Sequence, residues 1–255
     1  MTVTFDLVVA TIDRVEELGR LLESLERQTH KDFRVLLADQ NEDHRVESVL
    51  ERHPSLSVER LRSEPGLSRA RNAALPRVQA DAVGFPDDDC VYPDDLLERV
   101  AARLDRGLDG VTGREPSWTI PAAVLTRDNL WNRAISFTVF LRRGVIERVG
   151  GFDEQLGLPS SSGEEIDYLI RAVDAGARIE YDPTLVVLHP RKPIDLVAVG
   201  ARDGASIGYI LRKHGYPPRV LLRMLLRPAA GVLLDPRRAR FHLATLRGRF
   251  CAYRS

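Results

Sequence analysis

Apolar positions in the first hundred residues switch between two spacings. FDLVVA (5–10) is a short, almost continuous apolar run of strand type, and VEELGRLLESLERQ (15–28) then sets Val15, Leu18, Leu21, Leu22 and Leu25 on one helical face. The alternation repeats. FRVLLAD (33–39) predicts a strand, HRVESVLERH (44–53) a helix, LSVERL (56–61) a strand, and GLSRARNAALPRV (66–78) a helix that runs to Pro76. ADAVGF (80–85) predicts a fourth strand, and PDDLLERVAARL (93–104) a helix with Pro93 near its start, where a missing amide is tolerated. Beyond an irregular stretch at 114–135, ISFTVFLR (135–142) reads as a strand and GVIERVGGFDEQLG (144–157) as a short helix with a Gly-rich turn. SSGEEIDYLIRAVDAG (161–176) reads as a helix capped by Ser162, and ARIEYDPTLVVLHP (177–190) as two strands with a turn at Asp182-Pro183, the second ending at His189.

Strand–helix alternation predicts a mostly parallel sheet flanked by helices, a topology in which ligands collect beyond the carboxyl ends of the strands. Those ends carry Thr11 and Asp13 after the first strand, Asp39 after the second, and Asp87, Asp88 and Asp89 after the fourth. No GxGxxG follows the first strand and no GxxxxGK[ST] occurs, which argues against dinucleotide and P-loop sites.

Composition adds one asymmetry. The formal net charge of the 255 residues is zero, yet residues 190–255 hold 14 Lys+Arg against 3 Asp+Glu. An acidic body therefore carries a basic tail, which predicts an anionic partner for the tail. Within the tail, Arg219, Arg223 and Arg227 recur at four-residue steps among Val and Leu, the pattern of a basic amphipathic helix on an anionic membrane surface. The competing reading is a helix packed on the body with its Arg row solvated or paired to the acidic domain. No motif supports nucleic-acid binding. The cysteines are Cys90 and Cys251, far apart, so neither a zinc site nor a disulfide framework is expected and a reducing compartment fits. With no apolar run long enough to span a bilayer and no leader pattern at the start, the expectation is a cytoplasmic protein, peripheral on the inner membrane face if the tail binds lipid.

The loop FPDDDCVYP (85–93) sets three carboxylates side by side. A solvated turn tolerates that arrangement, and a divalent-cation site requires something like it. Its companions decide between the two. The chain reads Ala10-Thr11-Ile12-Asp13-Arg14 after the first strand, then QTHKDFRVLLAD, then Gly66-Leu67-Ser68-Arg69-Ala70-Arg71-Asn72, then Phe85-Pro86-Asp87-Asp88-Asp89, then Gly150-Gly151-Phe152-Asp153-Glu154, then Gly163-Glu164-Glu165-Ile166-Asp167 and a strand ending in His189. In number, order and spacing these segments resemble the family 2 glycosyltransferases over residues 5–190.

The resemblance implies an α/β GT-A nucleotide-diphospho-sugar transferase fold, with a mostly parallel Rossmann-like central sheet over residues 1–190 and a basic helical C-terminal extension over 191–255. It implies an inverting transfer of a sugar from a UDP- or dTDP-linked donor to an acceptor hydroxyl of a glycan, polysaccharide or lipid-linked molecule. Asp39 would accept the N3–H of a pyrimidine. Thr11, Asp13, Arg14, Arg71, Asp87 and Asp88 would serve the rest of the nucleotide-sugar. Asp89 and His189 would hold Mg²⁺ or Mn²⁺. The catalytic base falls on Glu165, where the family pattern has Asp, or else on Asp167. Glu164, Asp153 and Trp131 would face the acceptor. The chemistry stands without the family. A departing diphosphate gathers charge that a divalent ion offsets, and a hydroxyl nucleophile needs a carboxylate to take its proton. Two rivals are a sugar nucleotidyltransferase, whose Gly-rich basic phosphate loop is absent here, and a non-catalytic carbohydrate- or partner-binding module on the same fold. A glycoside hydrolase would need two carboxylates but no nucleotide pocket.

Overall fold

The computed structural model describes residues 3–158, 161–190 and 194–254. The chain divides into two compact units, one formed by residues up to Asp153 with Glu165–Pro190, the other by Glu154–Glu164 with the C-terminal region.

The first unit is built on an eight-stranded mixed sheet in the order β3-β2-β1-β4-β7-β5-β8-β6. Its strands are β1 (Phe5–Thr11), β2 (Phe33–Asp39), β3 (Val58–Arg62), β4 (Ala82–Gly84), β5 (Gly110–Arg114), β6 (Ala123–Val124), β7 (Phe140–Arg142) and β8 (Ile179–Val186). The β3-β2-β1-β4 half is parallel, whereas β7 runs antiparallel to both β4 and β5. The helices of this unit are α1 (Val15–Glu26), α2 (Glu47–Glu51), α3 (Leu67–Ala74), α4 (Leu96–Leu104), α5 (Arg143–Val149) and α6 (Glu164–Asp174), whose first residue falls in the second unit. The α1 stripe buries Leu18, Leu21, Leu22 and Leu25 completely, in one core with Leu7 and Val9 of β1, Val35 and Leu37 of β2, and Leu97, Val100 and Leu104 of α4. Burying each such side chain contributes about 1.5–3 kcal/mol before conformational entropy is counted.

Register carries the polar residues to one rim. Thr11 lies opposite Asp39, and Asp39 opposite Arg62. An isolated parallel bridge sets Asp87 beside Ala10, and an antiparallel one sets Val91 beside Leu188, next to His189.

Three expectations change. The segment ISFTVFLR is not one strand. Ser136–Thr138 forms a 3₁₀ turn, with the Thr138 amide and hydroxyl both donating to the Ile135 carbonyl, and only Phe140–Arg142 pairs. A hydroxyl that satisfies a local carbonyl competes with the ladder. Asp182-Pro183 is not a turn, because β8 runs through it. The β5–β8 register shifts between Thr112 and Arg114, and the Arg114 Nε donates to the Pro183 carbonyl at 2.6 Å. Proline lacks a ladder donor and is accommodated at such an irregularity. Ser162 does not cap α6. Its hydroxyl donates to Asp203 at 2.8 Å, and the residue before the helix is Gly163 at φ +82°, a conformation that disfavours a side chain.

The second unit contains α7 (Leu196–Lys213), α8 (Pro218–Leu234) and α9 (Ala239–Arg254). Asp195 caps α7 by accepting from the amides of Val197 and Ala198. Gly200, Gly204 and Gly208 form a stripe on α7 against Phe241, Thr245 and Arg249 of α9, so close that an added Cβ at Gly204 would sit 2.5 Å from the Thr245 carbonyl oxygen. Among the described residues, no helix is long and apolar enough to cross a membrane.

Candidate active site

The loop after β1 turns through Asp13, a non-glycine residue at φ +58°. Its amide donates to Asn41 Oδ1 at 2.8 Å, and its carboxylate pairs with Arg45. A polar residue held in the left-handed region costs free energy and is fixed here from outside its own backbone. Asp13 and Arg45 line a cleft of about 870 Å³ with Ile12, Gln40, Asn41 and Arg62. The size suits a nucleoside.

Asp39 sits under this cleft rather than in it. The side chain is fully buried, with Oδ1 accepting from the amide and carboxamide of Asn41 and Oδ2 lying 2.7 Å from Arg60 Nη2 and 3.2 Å from Arg62 Nη1. Burial disfavours its charge, but the Asn41 bonds and the Arg60 guanidinium outweigh it and hold the carboxyl below its usual range. The pyrimidine contact expected of Asp39 therefore requires its oxygens to be uncovered, and Asn41 and Arg62, which cover them, line the cleft wall. Thr11, buried beside it, accepts the Gln40 amide through its carbonyl.

The three aspartates are held by Arg14, Arg71 and His189, from three different segments. Arg14 Nη1 donates to Asp88 Oδ1 at 2.8 Å and to Asp89 Oδ2 at 3.0 Å. Arg71 Nη2 reaches Asp87 Oδ1 at 3.4 Å and also bonds Ser136 Oγ. His189 Nε2 lies 2.9 Å from Asp89 Oδ1, its ring stacked on Phe137 at 4.9 Å. Burial pushes the Asp88 carboxyl above its ordinary value, with Arg14 opposing the shift. Crowded carboxylates are thus offset in large part by Arg14 and Arg71, so the loop's composition does not by itself demand an ion. Geometry supplies the stronger argument. Asp87, Asp89 and His189 each offer a ligand atom within 4.8 Å of the other two. Two carboxylate oxygens and one imidazole nitrogen suit Mg²⁺ or Mn²⁺, and half-buried Asp87 and His189 leave the set reachable from one side.

Arg71 is only 1% exposed, with its guanidinium 5.7 Å from the Phe85 ring and 5.3 Å from the Phe152 ring. It does not line the large cleft. It lines a small cavity of about 10 Å³ with Ser136, Phe152, Glu165 and Tyr168. Phe152 is pinned there by Asn72, which accepts its amide at 2.7 Å and donates to its carbonyl at 3.0 Å. Glu165 and Asp167 part company on α6. Glu165 is half-buried and faces this cavity, whereas Asp167 is fully buried with Arg171 Nε at 3.0 Å. Glu164 is buried at the start of α6. Trp131 lies in a 3₁₀ turn and donates its indole N–H to the Arg127 carbonyl, and half-buried Asp153 follows Phe152 in the pinned loop.

Reading the sequence alone missed Asn41, Arg60 and Arg62 around Asp39, Ser136 between Arg71 and Asp87, and Phe137 under His189. Asn41 had a signal, since it sits two residues beyond a strand-end aspartate where a side-chain turn is common. Ser136 and Phe137 had none, because their part of the chain reads as strand.

The family described as Glycosyl transferase family 2 matches residues 6–144. A curated relative, the pre-mycofactocin glycosyltransferase of Mycobacterium tuberculosis, is 27% identical over 232 residues, covering 82% of this chain and 47% of that protein. The chain thus spans about half the length of that relative. Among solved structures, the mannosyltransferase PcManGT from Pyrobaculum calidifontis, in complex with GDP-Man and Mn²⁺, aligns with a TM-score of 0.69 at 18% identity over 99% of this chain and 76% of its own. S. aureus TarS aligns with a TM-score of 0.62 at 21% identity over 82% of this chain and 42% of its own. TarS 1-349 in complex with UDP-GlcNAc aligns at 0.63 and 18% identity over 98% and 89%. These likenesses show the GT-A fold. With a family match over more than half its residues and strand-end carboxylates gathered at one rim, the chain belongs to glycosyl transferase family 2.

Proposed function

We propose that this chain is an inverting glycosyltransferase that moves a sugar from a UDP- or dTDP-linked donor to an acceptor hydroxyl of a glycan, polysaccharide or lipid-linked molecule. The observation that carries the reading is the convergence of Asp87, Asp89 and His189 at the sheet rim that also bears Asp39 and Asp13. Asn41, Arg62 and Asp13 form the wall against which the nucleoside rests, and Asp39 fixes the first two. Asp87, Asp89 and His189 would hold a divalent ion, which would supply charge to offset that of the departing diphosphate. Arg14 exchanges carboxylate partners for phosphate oxygens. Arg71 orients Asp87 from beneath, wedged between Phe85 and Phe152.

The acceptor hydroxyl attacks the anomeric carbon opposite the diphosphate. A carbon–oxygen bond forms there as the bond to the phosphate oxygen breaks, and the nucleoside diphosphate leaves with the electron pair. Glu165 takes the acceptor proton, an effect worth about 10²–10⁴ in rate. Its place on the small cavity supports this role, and the burial of Asp167 against Arg171 argues against that alternative. Attack from the far face inverts the centre without a covalent enzyme intermediate. Asp153, Glu164 and Trp131 belong to the acceptor side in this reading, and the enzyme works in the cytoplasm at the inner membrane face.

The test is a thermal-shift titration of UDP with and without Mn²⁺ on the wild type, Asp89→Ala and His189→Ala. Half-exposed His189 guards against a merely unfolded Asp89 variant. Stabilisation by UDP that depends on Mn²⁺ and is lost in both variants is expected. Equal UDP stabilisation in all three proteins would sink the proposal.

A further inference from the structure

We propose that the outward face of α8 is a docking face for an anionic lipid bilayer. The helix is apolar nearly all round, yet its two sides differ. Val220 and Pro228 are buried, whereas Leu222 is 58%, Leu226 56%, Leu233 80% and Leu234 82% exposed. At 3.6 residues per turn, Leu222, Leu226 and Leu233 fall within about 40° of one another, and Arg219, Arg223 and Arg227 occupy the adjoining arc of about 80°. A leucine stripe edged by an arginine stripe lets the apolar part enter the acyl boundary while guanidinium groups meet phosphate.

Those arginines are not spent inside the protein. Among the described residues, none of Arg219, Arg223 and Arg227 makes an ion pair with a carboxylate, whereas Arg60, Arg103 and Arg171 each do. Arg249 of α9 strengthens the point. It bonds the Met224 carbonyl, and burial together with the nearby Arg227 pushes it down to about 10. Two guanidinium groups brought together with no acid between them are relieved by an outside anion. The same unit repeats this chemistry in a groove of about 560 Å³, where Val197, Ala201, Leu243 and Ala244 are flanked by Arg240 and Arg247. The 17-residue α8, with Pro228 and three arginines, has the make-up of a helix lying in the interface rather than crossing it. None of these residues belongs to the donor site, so this proposal and the catalytic one fail independently.

The test is co-sedimentation of the full chain with phosphatidylcholine vesicles, with and without phosphatidylglycerol, at low and high salt. The chain should pellet with the phosphatidylglycerol vesicles at low salt only. Arg219→Gln/Arg223→Gln/Arg227→Gln should weaken that partition on the order of 100-fold, as each arginine at an anionic surface contributes about fivefold. Leu222→Ser/Leu226→Ser/Leu233→Ser should weaken it at least tenfold. All replaced side chains are exposed, and cooperative thermal unfolding without any ligand, at the wild-type Tm, checks that the variants are folded. Retention of either variant on the vesicles would overturn the proposal, as would wild-type recovery indifferent to phosphatidylglycerol. So would a wild-type dimer in sedimentation velocity that the leucine variant dissociates and that vesicles do not compete with.

Discussion

Replacing one carboxylate by its amide at two neighbouring positions of α6 separates chemistry from architecture. Asp167 is fully buried, with Oδ2 3.0 Å from Arg171 Nε, and Arg171 also donates to the Val149 carbonyl at 2.9 Å. Removing one member of a buried ion pair typically costs about 3–5 kcal/mol. Arg171 is partly exposed and keeps its carbonyl partner, which lowers the expectation for Asp167→Asn to about 2 kcal/mol. For a chain of this size that is a fall in Tm of about 4–8 °C. Turnover of the folded Asp167→Asn protein should stay within about tenfold of wild type, since a structural residue does not touch the reacting atoms. Glu165→Gln should behave the opposite way. Turnover should fall by about 10²–10⁴, Mn²⁺-dependent stabilisation by UDP should persist, and the Tm should shift less than in Asp167→Asn. Scanning fluorimetry and the rate of UDP release from a UDP-sugar, with Mn²⁺ present, read both quantities on the same samples. An active Glu165→Gln enzyme beside an inactive Asp167→Asn enzyme of normal Tm would refute the assignment and move the base two residues along the helix.

Arg14→Met should raise the affinity for Mn²⁺ in the absence of nucleotide by about fivefold to tenfold, because one neutralising charge, itself 42% exposed and so discounted for screening, leaves Asp88 and Asp89. Free Mn²⁺ followed by electron paramagnetic resonance checks this, and unchanged or weaker binding refutes it. Gly204→Ala and Gly19→Ala should differ in sign. The first drives a Cβ to 2.5 Å from a backbone oxygen and should lose about 1–3 kcal/mol, whereas the second meets nothing closer than 3.7 Å and should gain about 0.5–1 kcal/mol in chemical denaturation.

How much of this was legible in the chain follows from the range of the forces involved. The β1–α1–β2 unit was readable to within a residue or two because its periodicity is set by burial on one face, and Leu18, Leu21, Leu22 and Leu25 are all in the core. The aspartate rim was readable for a related reason, since strand ends in a parallel sheet must deliver whatever follows them to one side. Strand β5, spelled GVTGR, was not read. Its two glycines blur the alternation, and its place is held by β7 and β8, which lie far along the chain. The partners of Asp39 were hidden likewise, because which arginine of β3 meets it depends on the β2–β3 register. Periodicity also placed Glu165 and Asp167 on one helix but was silent on which is enclosed, a property of the packing around Arg171.

The same limit explains the aspartate loop. Three adjacent carboxylates look unstable until Arg14, Arg71 and His189 are brought in from the β1 exit, α3 and the end of β8. Arg14 and Arg71 offset much of the loop's charge before anything binds, and His189 adds a hydrogen-bond partner. A divalent ion arriving alone meets carboxylates already engaged with Arg14 and His189, and adds charge where burial penalises any excess. A diphosphate arriving alone brings the opposite excess to a rim whose guanidinium groups are committed to aspartates. Under the proposed function, ion and diphosphate would arrive together: Asp87, Asp89 and His189 would hold the ion, Arg14 would turn from carboxylate to phosphate, and the charge of the ion would offset that of the diphosphate. On the proposed function, such a site would favour the metal–nucleotide pair over either component, and it would do so through residues that no local stretch of sequence places together.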